Sequence, residues 1–400
     1  MKSFHYPLCI DTWSEEEPLA IQKVIQRGRY TMGDYVKEFE IAFSNYFGSR
    51  YAVMVNSGSS ANLLAIAALS YKSENPLEPG DEVIVPSLSW ATTYYPVHQY
   101  GLKLVFVDID RETFNLDPAN LELAFSPKTK AVFLPHILGN PANIPTIQLF
   151  CKKHHLYLIE DNCESMGSKI ENKYVGTFGI CGTFSLFFSH HISTMEGGVI
   201  VTDDEEVYHL LLSLRSHGWT RHLPENNKLC KKNKNGFYEN FRFILPGYNL
   251  RPLEISGAVG IEQLKKLDSF LHARRSNAAL FREKILNCEG LQLQKESFEG
   301  SSAWFGFGLF LKNRKPDREN FINFLLENNI DCRPIVSGNF LRSEVLPYLQ
   351  HRIVGAHLNS DYLHESGLFI GNHHIQMQTE IEKLGDLMSN YFRTKTPCVA

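Results

Sequence analysis

The strongest constraint on this chain is the regular alternation of short β-branched runs with longer helical patterns over its first half. Tyr51–Val55 reads as a strand and Ser59–Leu69 as a helix. Glu82–Val85 and Leu104–Asp108 read as strands with a helix between them. Lys130–Leu134 is a strand, Ile144–His154 has helical spacing, and Tyr157–Asp161 is a strand again. Phe184–Phe188 and Val199–Thr202 continue the series. Strand–helix alternation of this kind predicts a mostly parallel sheet covered by helices. In such sheets ligands bind beyond the carboxyl ends of the strands. The polar residues that end these strands are therefore the first place to look for chemistry.

The texture changes after about residue 250. Leu253–Leu267 and Ser276–Ile285 look helical, and Gly290–Leu311 has the aromatic and small residues of a strand or hairpin. Arg318–Asn328 reads as a helix. These features predict a large α/β domain over residues 1–252 and a smaller α+β domain over residues 253–400, which suits a chain of 400 residues. Within the larger domain Asn226–Gly236, rich in Asn and Lys, reads as a loop. A formal net charge of −4 gives no footprint for nucleic acid or an anionic membrane. The eight cysteines, Cys398 the last, show no C-x-x-C spacing, so metal or iron–sulfur ligation has no local support. Scattered thiols and an N-terminus without an apolar signal core predict a cytoplasmic protein. No apolar stretch approaches the roughly 18 residues a membrane helix needs.

Four segments carry candidate chemistry. Asn56-Ser57-Gly58-Ser59-Ser60-Ala61-Asn62 follows a strand and opens a helix. It serves either as an ordinary serine N-cap or as a turn whose free N–H groups hold a phosphate. Asp161, in Glu160-Asp161-Asn162-Cys163-Glu164, ends an apolar strand. It is either a helix-capping residue or a carboxylate that pairs with a pyridinium nitrogen. Trp90 follows another strand end and is either a core tryptophan or a platform for a flat ring. The run from Ser185 to Gly198 passes through His190 and His191 in a polar loop. Its imidazoles suit proton transfer near neutral pH, unless they are incidental to a surface loop.

Taken in order, these segments resemble the DegT/DnrJ/EryC1/StrS family of nucleotide-sugar aminotransferases. The resemblance is carried by Gly28 and Gly33, Asn56-Ser57-Gly58, Val107-Asp108-Ile109-Asp110, Leu138-Gly139-Asn140-Pro141, Glu160-Asp161, Glu196-Gly197-Gly198 and Gly247-Tyr248-Asn249-Leu250-Arg251-Pro252. It implies the aspartate-aminotransferase fold (fold type I), bound pyridoxal phosphate, and a homodimer with shared active sites. The family places a lysine six residues before the Glu of the Glu-Gly-Gly signature. Here that position is His190, and no lysine occurs from Cys181 to Gly198.

A transaminase lysine links the cofactor covalently and shuttles a proton. Histidine can do only the second. The pattern resembles that of the sugar 3-dehydratases of this family, and implies pyridoxal or pyridoxamine phosphate bound without a covalent link. The implied reaction removes the 3-hydroxyl of a nucleotide-linked 4-keto-6-deoxy sugar, GDP-4-keto-6-deoxy-D-mannose, with L-glutamate as amino donor. It belongs to dideoxysugar synthesis of the colitose, O-antigen type. Carried over by position, His190 is the general acid/base and Asp161 pairs with the ring nitrogen. Trp90 stacks on the ring, and Ser57, Gly58, Ser59 and Ser185 hold the phosphate. Asn249 reaches across from the partner subunit. Glu164 stands where aminotransferases of the family often carry glutamine and is expected near the ring oxygen or substrate. His217, Arg221 and Arg333 are candidates for sugar, diphosphate and glutamate carboxylate. The rivals are a CDP-sugar 3-dehydrase, an ordinary aminotransferase, and a non-catalytic cofactor-binding protein. The first of these carries an iron–sulfur cluster, for which this chain lacks the cysteine spacing.

Overall fold

The computed structural model describes residues 4–395 except 287, 289, 298 and 313–316; Cys398 lies outside the described residues. Its strands form three sheets. The largest comprises β1 (Tyr51–Val55), β2 (Glu82–Pro86), β3 (Lys103–Val107), β4 (Thr129–Pro135), β5 (Tyr157–Asp161), β8 (Cys181–Ser185), β9 (Gly198–Thr202) and β14 (His351–Ile353). Their spatial order is β1-β9-β8-β5-β4-β2-β3-β14. Every neighbouring pair from β8 through β14 is parallel, and β9 runs antiparallel to both β8 and β1. The second sheet orders β10 (Leu291–Leu293), β12 (Gly306–Leu311), β15 (Gly367–Gly371) and β13 (Cys332–Arg333), all antiparallel. A small third sheet joins β6 (Lys169–Ile170), β7 (Lys173–Tyr174) and β11 (Gly300–Ser301).

The large sheet is buried on both faces, which is why β2, β8 and β9 are buried along their whole length. The helix Gly58–Ser70 is apolar around most of its circumference because it too is enclosed, with Leu64 through Leu69 buried. The other face is covered in part by Ile144–His154. The texture change near residue 250 marks one continuous helix, Glu254–Ile285, where the sequence pattern predicts two shorter ones. Nothing in residues 268–275 breaks a helix, and tertiary packing against the helices Glu16–Arg27 and Asp34–Phe47 carries it through. Buried Glu254 caps Asp34–Phe47 by accepting from the N–H groups of Gly33 (2.6 Å) and Tyr35 (2.8 Å).

A second correction bears on the site. The strand expected at Phe184–Phe188 ends at Ser185, and residues 186–197 form an irregular connection to β9. The small antiparallel sheet packs on Glu254–Ile285 through its own core, centred on Phe281, Phe307, Phe321 and Ile370. Two elements tie the chain's ends across the fold: Tyr6 bridges Ile330, and β14 adds to the edge of the large sheet. No helix among the described residues is long and apolar enough to cross a membrane.

Candidate active site

The carboxyl ends of β2, β4, β5 and β8 open onto a cavity of about 410 Å³. Its wall includes Ser57, Gly58, Ser59, Trp90, Asp161, Glu164, Ser185, His190 and Arg333. Nine of the twelve residues singled out in the sequence thus meet at one place, from segments spread over 277 positions (333 − 57 + 1). They meet because parallel strands that are distant in sequence end at one sheet edge.

Ser57 caps the helix Gly58–Ser70, its Oγ accepting from Ser60 N at 3.0 Å. The remaining first-turn N–H groups project from the helix end toward the cavity wall. Gly58 is required by close approach: a Cβ there would lie 2.6 Å from Ser185 Cβ and 2.9 Å from Cys163 Sγ. Three serines and a helix N-terminus make a cradle for a dianion.

Asp161 is buried at the end of β5, and its partners are neutral. Oδ2 accepts from Asn62 Nδ2 and from Thr93 Oγ1, both at 2.8 Å, and Oδ1 accepts from Cys163 N at 3.1 Å. Among the described residues it forms no ion pair. A buried carboxylate with dipolar partners alone is a site that favours a cationic ligand. Neither Asn62 nor Thr93 stands out in the sequence as a partner of Asp161. Their signal is helical spacing: Thr93 follows Trp90 by one turn, and Asn62 follows the serine cap by about one turn. Thr183 donates to Asn62 Oδ1 at 2.6 Å and fixes the amide so that its NH₂ faces the carboxylate. Trp90 stands at the start of its helix, 58% exposed, with its ring on the cavity.

His190 sits in the irregular connection after β8. Its Nδ1 donates to Cys163 O at 2.6 Å, so in the neutral ring the lone pair is on Nε2. Its ring packs on Phe305 at 5.1 Å. Burial lowers its pKa from 6.5 to about 4, the charge of Arg274 acting the same way against the Cys163 carbonyl and Asp161. The imidazole is therefore neutral at pH 7 and able to accept a proton. His191 is fully buried on the far side, its Nε2 against Ala303 O at 3.3 Å. Glu164 accepts from Leu138 N at 2.9 Å, yet burial raises its pKa from 4.5 to about 7, with Asp161 adding to the rise. Behind it Glu160 is saturated by the N–H groups of Gly176, Phe178 and Gly179 at 2.7–2.8 Å and by His136.

Arg333 is exposed at the cavity wall, just before the loop that carries Val336. His217, Arg221 and Asn249 do not line the cavity of their own chain. They gather instead around Trp219. Arg221 and Arg251 lie over its ring at 5.9 and 5.8 Å, and the His217 ring is 5.1 Å away. Asn249 is exposed and accepts from Arg251 Nε at 2.9 Å. Among the described residues no cluster of His, Cys, Asp and Glu is arranged to hold a metal ion.

The sequence profile of the DegT/DnrJ/EryC1/StrS aminotransferase family matches residues 11–384. The chain is 49% identical over 387 residues to GDP-4-keto-6-deoxy-D-mannose 3-dehydratase of Yersinia pseudotuberculosis, covering 96% of this chain and 98% of that protein. It also matches two crystal structures of GDP-4-keto-6-deoxymannose-3-dehydratase, each 50% identical and covering 96% of this chain and all (100%) of theirs. One holds a trapped PLP–glutamate geminal diamine (TM-score 0.94), and the other, a histidine-to-asparagine variant, holds GDP-perosamine (TM-score 0.93).

Proposed function

The chain belongs to the DegT/DnrJ/EryC1/StrS aminotransferase family, and from that premise we propose that it is a 3-dehydratase dependent on pyridoxal or pyridoxamine phosphate. It removes the 3-hydroxyl of GDP-4-keto-6-deoxy-D-mannose, with L-glutamate as amino donor, in colitose-type dideoxysugar synthesis. The observation that carries this reading is His190: a neutral imidazole with a free Nε2 on the wall of a cavity that no lysine lines among the described residues.

The residues present fit the cofactor. Asp161 is a buried carboxylate with no cationic partner among the described residues, which suits a protonated ring nitrogen. The helix end at Ser57–Ser59, with Ser185, is a serine-lined cradle on the cavity wall, and the close packing of Gly58 on Ser185 leaves no room for a Cβ between them. Asp161 would hold the ring nitrogen protonated, Ser57, Gly58, Ser59 and Ser185 would hold the phosphate, and Trp90 would cover the ring face. When bound, the cofactor supplies an amino group for the sugar's 4-keto carbon and a ring that accepts electrons. His190 Nε2 removes a proton and, as an imidazolium with a pKa far below neutral, returns it readily to the departing 3-hydroxyl oxygen. Without a lysine amine the cofactor is held by these contacts alone. Arg333 suits the glutamate carboxylate through its fork of donors. Glu164, which burial raises to about 7, is part protonated near neutral pH and offers a hydrogen bond from its acid form to the ring oxygen or the sugar.

The assembly we propose is a homodimer in which Asn249, His217 and Arg221 complete the partner's cavity. Their place around Trp219, away from the cavity of their own chain, with Arg221 and Asn249 exposed, supports this. The division into a cofactor-binding part, 1–252, and a small part, 253–400, belongs to the same reading, supported by an antiparallel sheet drawn wholly from residues after 290. A cytoplasmic location agrees with the free thiols of all seven cysteines among the described residues.

The test is incubation with pyridoxal phosphate, L-glutamate and GDP-4-keto-6-deoxy-D-mannose, with products followed by mass. Loss of the 3-hydroxyl with release of ammonia and 2-oxoglutarate is expected. A stable 4-amino sugar would make the protein an aminotransferase and overturn the reading.

A further inference from the structure

Val336 lines the cavity with a φ of +48°, in the left-handed region that β-branched residues avoid. The structure shows what holds it there. Ser337 Oγ donates to Ser89 O, Gly338 turns at φ +68°, and Asn339 pairs with Leu88 across an isolated bridge. Phe340 N then donates to Ser87 O at 2.8 Å. Residues 337–340 are thereby clamped along the segment that leads from β2 to Trp90. Val336 is pinned between this clamp and Arg333 at the end of β13. Backbone strain kept at a cavity wall by several independent ties is the mark of a functional constraint.

Val336 is one member of a patch. Val336, Phe305 and Phe369 pack against a single buried cluster that includes Leu88, Ile137 and Ile335, yet each keeps part of its surface open, and all three line the cavity. The wall they form is apolar, whereas Ser57, Ser185, Asp161, Glu164 and His190 form a polar one. Apolar side chains left open on one wall of a cavity call for an apolar group on the ligand facing them. Resting on the dehydratase reading, the sugar offers one such group. Its ring carries hydroxyl and keto oxygens and its anomeric carbon a diphosphate, while C6 is a methyl.

We propose that Val336, with Phe305 and Phe369, forms the subsite for the C6 methyl, and that Val336 determines the choice of 6-deoxy over 6-hydroxy sugars. A hydroxyl placed there would lose its water and find no donor or acceptor on those three side chains. The strained backbone sets the position of the valine methyls, so the residue is used for placement as well as for its apolar surface.

The test compares equilibrium binding of two unreactive ligands, GDP-6-deoxy-D-mannose and GDP-mannose, to cofactor-loaded enzyme by calorimetry, with turnover measured beside it. Wild-type protein is expected to bind the 6-deoxy ligand about tenfold to a hundredfold more tightly. Val336→Ser should shrink that ratio by about fivefold or more, since it replaces methyl contact with a hydroxyl. Val336→Gly should shrink it too while leaving the thermal midpoint unchanged or raised, because it relieves the left-handed strain. A merely structural valine would lower the midpoint and leave the ratio alone. An unchanged ratio in both variants overturns the proposal, as does a change confined to cofactor affinity read from its absorbance. Failure of the underlying reading looks different: wild type would show no dehydration but keep the binding ratio, and the methyl subsite would stand.

Discussion

Glu164→Gln isolates one buried proton. In the cofactor-free protein the Glu164 carboxyl is moved from 4.5 to about 7, chiefly by burial. A carboxyl held that far above its unfolded value binds its proton more tightly in the fold. The associated stability is fully present below pH 4.5 and is lost as pH rises through about 7. At about 1.4 kcal/mol for each tenfold change in proton affinity, the full loss is about 3 kcal/mol. Because the side chain keeps some contact with the cavity, about 2 kcal/mol is the figure to expect after screening. Glutamine has nearly the same shape and keeps an oxygen for Leu138 N–H, but carries no proton to lose. The assay is guanidinium unfolding of both cofactor-free proteins across pH 4 to 8.5. Other titrating groups are common to the two proteins and cancel in the difference. The variant's advantage should be near zero at the acid end and grow by about 2 kcal/mol at the alkaline end. A difference that stays flat with pH would show that Glu164 is ionised throughout, and would remove the argument that its acid form donates near neutral pH.

Two further outcomes are expected. His190→Asn should still bind the cofactor but lose turnover by about a hundredfold to ten-thousandfold, and His190→Lys should yield a cofactor that borohydride fixes to the protein; a lysine there that cannot be trapped would mean that residue 190 does not face the cofactor. Mixing inactive His190→Asn with inactive Asn249→Ala should restore activity to about a quarter of wild type, since half the dimers are hybrids and each hybrid has one intact site; no recovery after subunit exchange would place Asn249 outside the partner's cavity.

Much of this protein is legible without coordinates because its signals are local. Strand and helix periodicity reports which faces are buried, and a run such as Phe184-Ser185-Leu186 to Gly198 shows by itself that histidine stands where the family has lysine. Gly58 and its flanking serines are a local turn, and their chemistry follows from neighbours within one helical turn. Even there the boundaries moved: β8 stops at Ser185, and two expected helices are one, because packing rather than propensity decided those ends.

What the tertiary structure alone decided is long-range. Asp161 meets Asn62 across 99 residues and Thr93 across 68, and only the order of strands in the sheet brings them together. The same is true of Phe305, Val336 and Phe369, three apolar residues with nothing in common along the chain until they share a wall. The pKa values of His190 and Glu164 belong to this class too, since burial is their largest cause and burial is a property of the whole fold. Residue types and spacings state which chemistry is available; the packing of distant segments sets the distances, the charge states and the exclusion of water on which that chemistry depends.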